Sequence, residues 1–110
     1  MTPRLKSGFF ARAIIRRAEV GGASAYVLKK GIEESGAVFL KLSRHDGTCT
    51  VLDQIRRGDG ELAWVRPLGE QVDEERARAY FEKQTRLDPD IWIIEIVDRE
   101  GRSFVDEPIV

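Results

Sequence analysis

The chain has 110 residues, of which 42% are hydrophobic and 34% charged, with a formal net charge of −1. This length implies one domain burying roughly 60 to 70% of the surface its unfolded chain exposes, and the balance excludes a disordered or fibrous chain. A single cysteine, Cys49, and a single histidine, His45, exclude an internal disulfide and a zinc site with four nitrogen and sulfur ligands, and no run of about 20 apolar residues is present to insert in a membrane.

Taken in chain order, the first element is a helix over about residues 8 to 20, with Ser7 as its N-cap and Phe10, Ile14 and Ala18 on its inner stripe. Gly21 and Gly22 stop it. From residue 23 the period changes to two. ASAYVLKK (23 to 30), GAVFLKLS (36 to 43), TCTVLDQI (48 to 55) and ELAWVR (61 to 66) read as four strands, separated by GIEES, by Asp46-Gly47 and by Gly58-Asp59-Gly60. The spacing predicts a four-stranded antiparallel meander.

Pro67 ends the fourth strand, and Asp73 caps a second helix over about 74 to 87, with Glu74 and Glu75 at its positive end and Val72 stapling onto Ala77. Ala77, Tyr80, Phe81, Gln84 and Leu87 mark its inner face, and Pro89 forbids continuation. IWIIEIVD then forms a strand that is apolar on both faces, hence interior to the sheet, and SFV (103 to 105) a short terminal strand. The expected class is α+β: a single domain over 1–110, with a mostly antiparallel sheet of five to six strands and two helices in the order αββββαββ.

Charge is unevenly spread. Residues 1 to 30 hold seven basic groups and one acid, residues 31 to 69 five and six, and residues 70 to 110 six and twelve. The basic excess gathers on the outer face of the first helix, where Arg12, Arg16 and Arg17, with Arg4 and Lys6 ahead of them, offer an anion or partner contact. An Arg-rich, acid-poor start is also how an organellar transit peptide looks, but the sheet needs this helix as cover. A nucleic-acid role through it is disfavoured, because no basic and aromatic residues alternate on a strand and the pI is near 5.9.

The stretch DPDIWIIEIVDREG (88 to 101) packs five carboxylates into an apolar segment. Asp90 and Asp98 are separated by a strand of about 26 Å at 3.3 Å per residue, too far to share a metal ion. Asp88, Asp90, Asp98 and Glu100 therefore read as strand-end and turn residues. Glu95 alone falls inside the strand, and a half-buried carboxylate needs a cation. Lys41, the single charge on its face of the 37–42 strand, is the candidate for a buried ion pair, with Arg12 or Arg16 as other partners. His45 sits in a turn, Cys49 lacks a CxxC partner, and neither a GxxxxGK loop nor a GxGxxG loop is present. No catalytic set, cofactor motif or metal site emerges.

RLKSGFFARAIIRR, AYVLKKG followed by GAVFLKL, and above all DPDIWIIEIVDREGR resemble the short alphaproteobacterial proteins grouped as domain of unknown function 1491, over about residues 4 to 108. DPD, Ile or Leu and Trp, followed by IE and a D-R-x-G-R turn, carry the resemblance. It implies a cytoplasmic bacterial protein and lends no activity or ligand. The leading expectation is then a non-enzymatic domain that binds a protein partner or a second copy of itself. The alternatives are a small enzyme or ligand-binding protein using Glu95 with a neighbouring Lys or Arg, and weak nucleic-acid binding through the first helix.

Overall fold

In a computed structural model describing residues 6–110, the first helix, α1, runs Ser7–Val20 and buries Phe10, Ala11, Ile14 and Ala18 along one stripe. Ser7 is not its cap, contrary to expectation. Lys6 holds that position with no side-chain cap hydrogen bond, and the Ser7 hydroxyl donates to the Gly36 carbonyl at 2.6 Å. The hydroxyl is engaged by a distant carbonyl instead of accepting from the N–H groups of the first turn as a cap would. The glycine stop is as expected: Gly22 N–H donates to Glu19 O at 3.1 Å and Ala23 N–H to Ala18 O at 2.9 Å. This is a Schellman closure, with Gly22 at φ 92° where a side chain would be strained.

Six strands follow: β1 (Ser24–Lys29), β2 (Val38–Ser43), β3 (Thr48–Arg56), β4 (Leu62–Val65), β5 (Val72–Asp73) and, after helix α2 (Glu74–Leu87), β6 (Trp92–Val97). The architecture is the α+β arrangement of two helices on one mostly antiparallel sheet, with spatial order β1-β6-β2-β3-β4 and β5 pairing with β3. Among the strands of the described residues, β2 and β6 are the pair that runs parallel.

The four-stranded meander is corrected to three strands, β2-β3-β4, because β6 separates β1 from β2. The reason lies in β6 itself. Its Trp92, Ile94 and Ile96 belong to the core beneath α1, while Ile93 and the adjoining Ile91 belong to the core beneath α2. Such a strand is stable only where both faces are covered, and full burial of each such side chain contributes about 1.5–3 kcal/mol.

Two further expectations change. Residues 103 to 105 form no strand; the C-terminal segment meets the sheet as one bridge, Ile109 beside Trp64, so the order is αβββββαβ, with β5 the strand that sequence patterning missed. Phe104 has φ 59°, a left-handed conformation incompatible with a strand. Leu87, the last residue of α2, is 71% exposed rather than on its inner face.

The link between β1 and β2 must cross the entry end of β6, and it does so at close range. Ile32 N–H donates to Asp90 O at 3.0 Å and Trp92 N–H to Ala37 O at 2.7 Å, and the Trp92 indole donates to Ile32 O at 2.7 Å. Gly31 and Gly36 lie against the Asp90 backbone so tightly that a Cβ on either would overlap its carbonyl oxygen. Gly36→Ala is therefore expected to lower stability in urea unfolding by about 1–3 kcal/mol. Gly58→Ala, in open space, is expected to leave it within about 0.5 kcal/mol; equal midpoints for the two variants would contradict this packing.

Candidate functional site

Parallel pairing sets Lys41 beside Glu95 across β2 and β6, on the sheet face that α2 covers. The Lys41 ammonium lies 3.4 Å from Glu95 Oε2 and 2.5 Å from Glu74 Oε2. Glu74 opens α2, so this cation ties the helix to the sheet. The Ser43 hydroxyl donates to the same Glu95 oxygen at 2.7 Å. Burial pulls the Lys41 pKa down, but the hydrogen bond that its ammonium donates to Glu74 and the charges of Glu95 and Glu74 outweigh it, and the net shift is upward. Lysine is held charged there, which suits an ion-pair anchor rather than a general base.

Beside this cluster a groove of about 490 Å³ opens between β1 and α2, with Leu28, Phe81 and Ile93 among its apolar lining and Lys29, Lys41 and Arg86 among its cations. Glu95 is not part of the lining. Cys49 is fully buried next to it, and burial pushes its thiol pKa up, away from reactivity. Asp53, which sequence reading passed over, also lies half-buried on this face, and burial raises its carboxyl pKa. Among the described residues no group of three or more His, Cys, Asp or Glu is placed to hold a metal ion, and no helix is long and apolar enough to cross a membrane.

The candidate arginines of α1 do not converge. Arg12 pairs with Glu33 at 2.5 Å, Arg17 with Asp106 at 3.0 Å and with the Phe104 carbonyl at 3.0 Å, and Arg16 is exposed. Neither Arg12 nor Arg16 is the ion-pair partner of Glu95. Arg4 lies outside the described residues. His45 is exposed in the β2–β3 turn, where Asp46 Oδ1 accepts from Thr48 N–H at 3.0 Å and serves the backbone.

The acids of the terminal stretch divide differently from expectation. Asp88 Oδ1 accepts from Asp90 N–H at 3.0 Å, a turn role. Asp98, expected at a solvated end, is 7% exposed. Its carboxylate accepts from the Arg102 guanidinium at 2.8 Å and from the backbone N–H groups of Glu100 and Arg102 at 3.2 and 3.0 Å. The same guanidinium donates to Gly21 O at 3.1 Å and stacks 4.8 Å over the Phe104 ring. The turn after β6 is thereby tied to the end of α1. Four residues separate Asp98 from Arg102, with Gly101 between them at φ 70°; that D-R-x-G-R spacing was the available signal.

The sequence profile of the family described as "Protein of unknown function (DUF1491)" matches residues 5–106. The chain belongs to this family. A family member from Caulobacter crescentus CB15, solved by crystallography, is 44% identical with a TM-score of 0.91, covering 97% of this chain and 100% of that one. An NMR structure of a family protein from the same organism is 42% identical with a TM-score of 0.88 and covers 99% of each chain. A solution structure of a protein from A. tumefaciens is 30% identical with a TM-score of 0.82, covering 96% of this chain and 95% of that one. No curated protein matches the chain.

In this member, the hydrogen bonds from Arg102 outweigh burial and hold the Asp98 pKa at about 2, below its unfolded value near 3.9. A depressed carboxylate stabilises the fold above its unfolded pKa and loses that contribution as pH falls through its folded one. Because Arg102 is half exposed, screening reduces the effect to about 1–2 kcal/mol. Asp98→Asn is expected to cost that amount in urea unfolding at pH 7, with the gap to wild type narrowing between about pH 4 and pH 2. A gap that stays constant over that range would contradict the assignment.

Proposed function

We propose that this protein is a non-enzymatic binding domain whose partner is another protein, engaged by the free edge of β1 and the groove between β1 and α2. The observation that carries this reading is the unequal treatment of the two sheet edges. At β4 the chain covers its own edge: Trp64 N–H donates to Pro108 O at 2.9 Å and Val110 N–H to Trp64 O at 2.8 Å. Among the described residues β1 has a strand neighbour on one side only. It carries Tyr26, Val27 and Leu28 in succession, 53%, 47% and 49% exposed. Unpaired backbone groups flanked by apolar side chains are what an added strand from a partner uses.

The groove rim favours an acidic partner over a second copy. Lys41 is committed to Glu74 and Glu95 and Arg78 to Glu75 and Glu82, which leaves Lys29 and Arg86 as the lining cations without an acidic partner among the described residues, so two copies meeting edge to edge would bring like charges together. A cytoplasmic setting belongs to the same reading, supported by the unpaired thiol of Cys49 and by the alphaproteobacterial family.

A photo-crosslinking residue at Val27, compared with one at the exposed Arg57 of the β3–β4 turn, tests this in the native cell. The expectation is an adduct of defined mass from position 27 that is absent from position 57 and lost on Leu28→Lys. Adducts of equal yield from both positions, or none from 27, would remove the reading, and an adduct at twice the chain mass would assign the edge to self-association.

A further inference from the structure

A second cavity lies on the other face of the sheet, near the D-R-x-G-R turn, with a volume of about 210 Å³. Its polar lining is Arg44, Thr50, Arg66, Glu70, Gln71 and Ser103, two cations against one acid, and Leu42, Leu52 and Ile109 form its apolar wall. Arg44 enters it from the end of β2. Its Nη2 donates to the Thr50 hydroxyl at 3.0 Å, and that hydroxyl in turn donates to the Glu70 carbonyl. The guanidinium packs where a Cβ on Gly101 would sit. The side chain is thus held from two sides, by Thr50 and by the Gly101 turn.

Yet Arg44 Nη1 is buried with no hydrogen-bond partner among the described residues, and no described carboxylate forms an ion pair with Arg44 or Arg66. A guanidinium N–H taken out of water and left unmade is among the more costly arrangements a fold can hold. Elsewhere in this chain arginines meet acids: Arg12 meets Glu33, Arg17 meets Asp106, and Arg102 meets Asp98. Arg44 is positioned without one.

We infer that this cavity binds a small oxyanion, the carboxylate or phosphate group of a compact ligand, with the half-buried Arg44 as the anchor and Arg66 as the second cation. A planar guanidinium offers a carboxylate or phosphate two parallel charge-assisted hydrogen bonds. Thr50 is not a donor to the ligand, because its hydroxyl proton is committed to Glu70 O; its role is to orient Arg44. The Ser103 hydroxyl and the Gln71 amide supply neutral donors at the rim, and the apolar wall accommodates a short carbon chain rather than a nucleotide.

The test is an NMR titration of the isotope-labelled protein with sodium phosphate and, separately, sodium acetate, against sodium chloride at equal ionic strength. Saturable shifts of the Arg44 Nε–H and of the Ser103 and Gln71 amides are expected with one of the two oxyanions and not with chloride; the tighter one names the chemical source. Arg66→Gln is expected to weaken that binding about tenfold, the worth of one charge-assisted contact. Arg66 is exposed, so this variant keeps the fold. Arg44→Gln is expected to abolish binding. Responses matched by chloride, unsaturable responses, or affinity unchanged in Arg66→Gln would overturn the inference.

Discussion

A strand that is apolar on both faces has to lie inside a covered sheet, and in this chain that strand is β6, the last to be made. Seating it between β1 and β2 forces the rest. It makes β2–β6 a parallel pair, pushes β1 to the outside, and requires residues 30 to 37 to pass across the start of β6. It also explains where the backbone is crowded. Gly31 and Gly36 are small because the Asp90 carbonyl runs beneath them, and the Trp92 indole reaches back to Ile32 O. At the other end of the strand Asp98 and Arg102 fasten the turn to Gly21 at the end of α1. Both ends of β6 are tied to segments from the first third of the chain.

The surfaces available for function are by-products of this arrangement. With β6 interior, β1 becomes an edge, and α2, anchored by the Lys41 contacts to Glu74 and Glu95, covers β2 and β3 but leaves a groove towards β1. The ion cluster at Lys41 is buried enough to be costly if broken and satisfied enough to be inert. The Arg44 cavity is the opposite case, a guanidinium fixed by Thr50 and the Gly101 turn with one nitrogen unsatisfied.

Local chemistry was legible in the sequence. The α2 limits, the Asp73 cap, which accepts from Arg76 N–H at 2.8 Å, the Asp46-Gly47 turn and the two-faced apolarity of β6 all follow from neighbouring residues. What was not legible depended on partners far along the chain. Ser7 reads as a cap until Gly36 is beside it, β1 and β2 read as neighbours until β6 is placed between them, and Asp98 reads as a strand-end acid until Arg102 folds back over it. β5 is two residues long and leaves no period to detect. Of the site residues, Lys41 and Glu95 could be named because each is the single charge on an apolar strand face; Arg44, on a turn among polar neighbours, had no such contrast.

Amide hydrogen exchange followed residue by residue tests this account most directly. If β6 is an interior strand covered on both faces and β1 a free edge, amides of Ile93, Ile94 and Ile96 exchange only through global unfolding, while outward-facing amides of β1 exchange orders of magnitude faster. Slow exchange along the whole of β1 in the monomer, or release of β6 at a free energy well below that of β2 and β3, would contradict it.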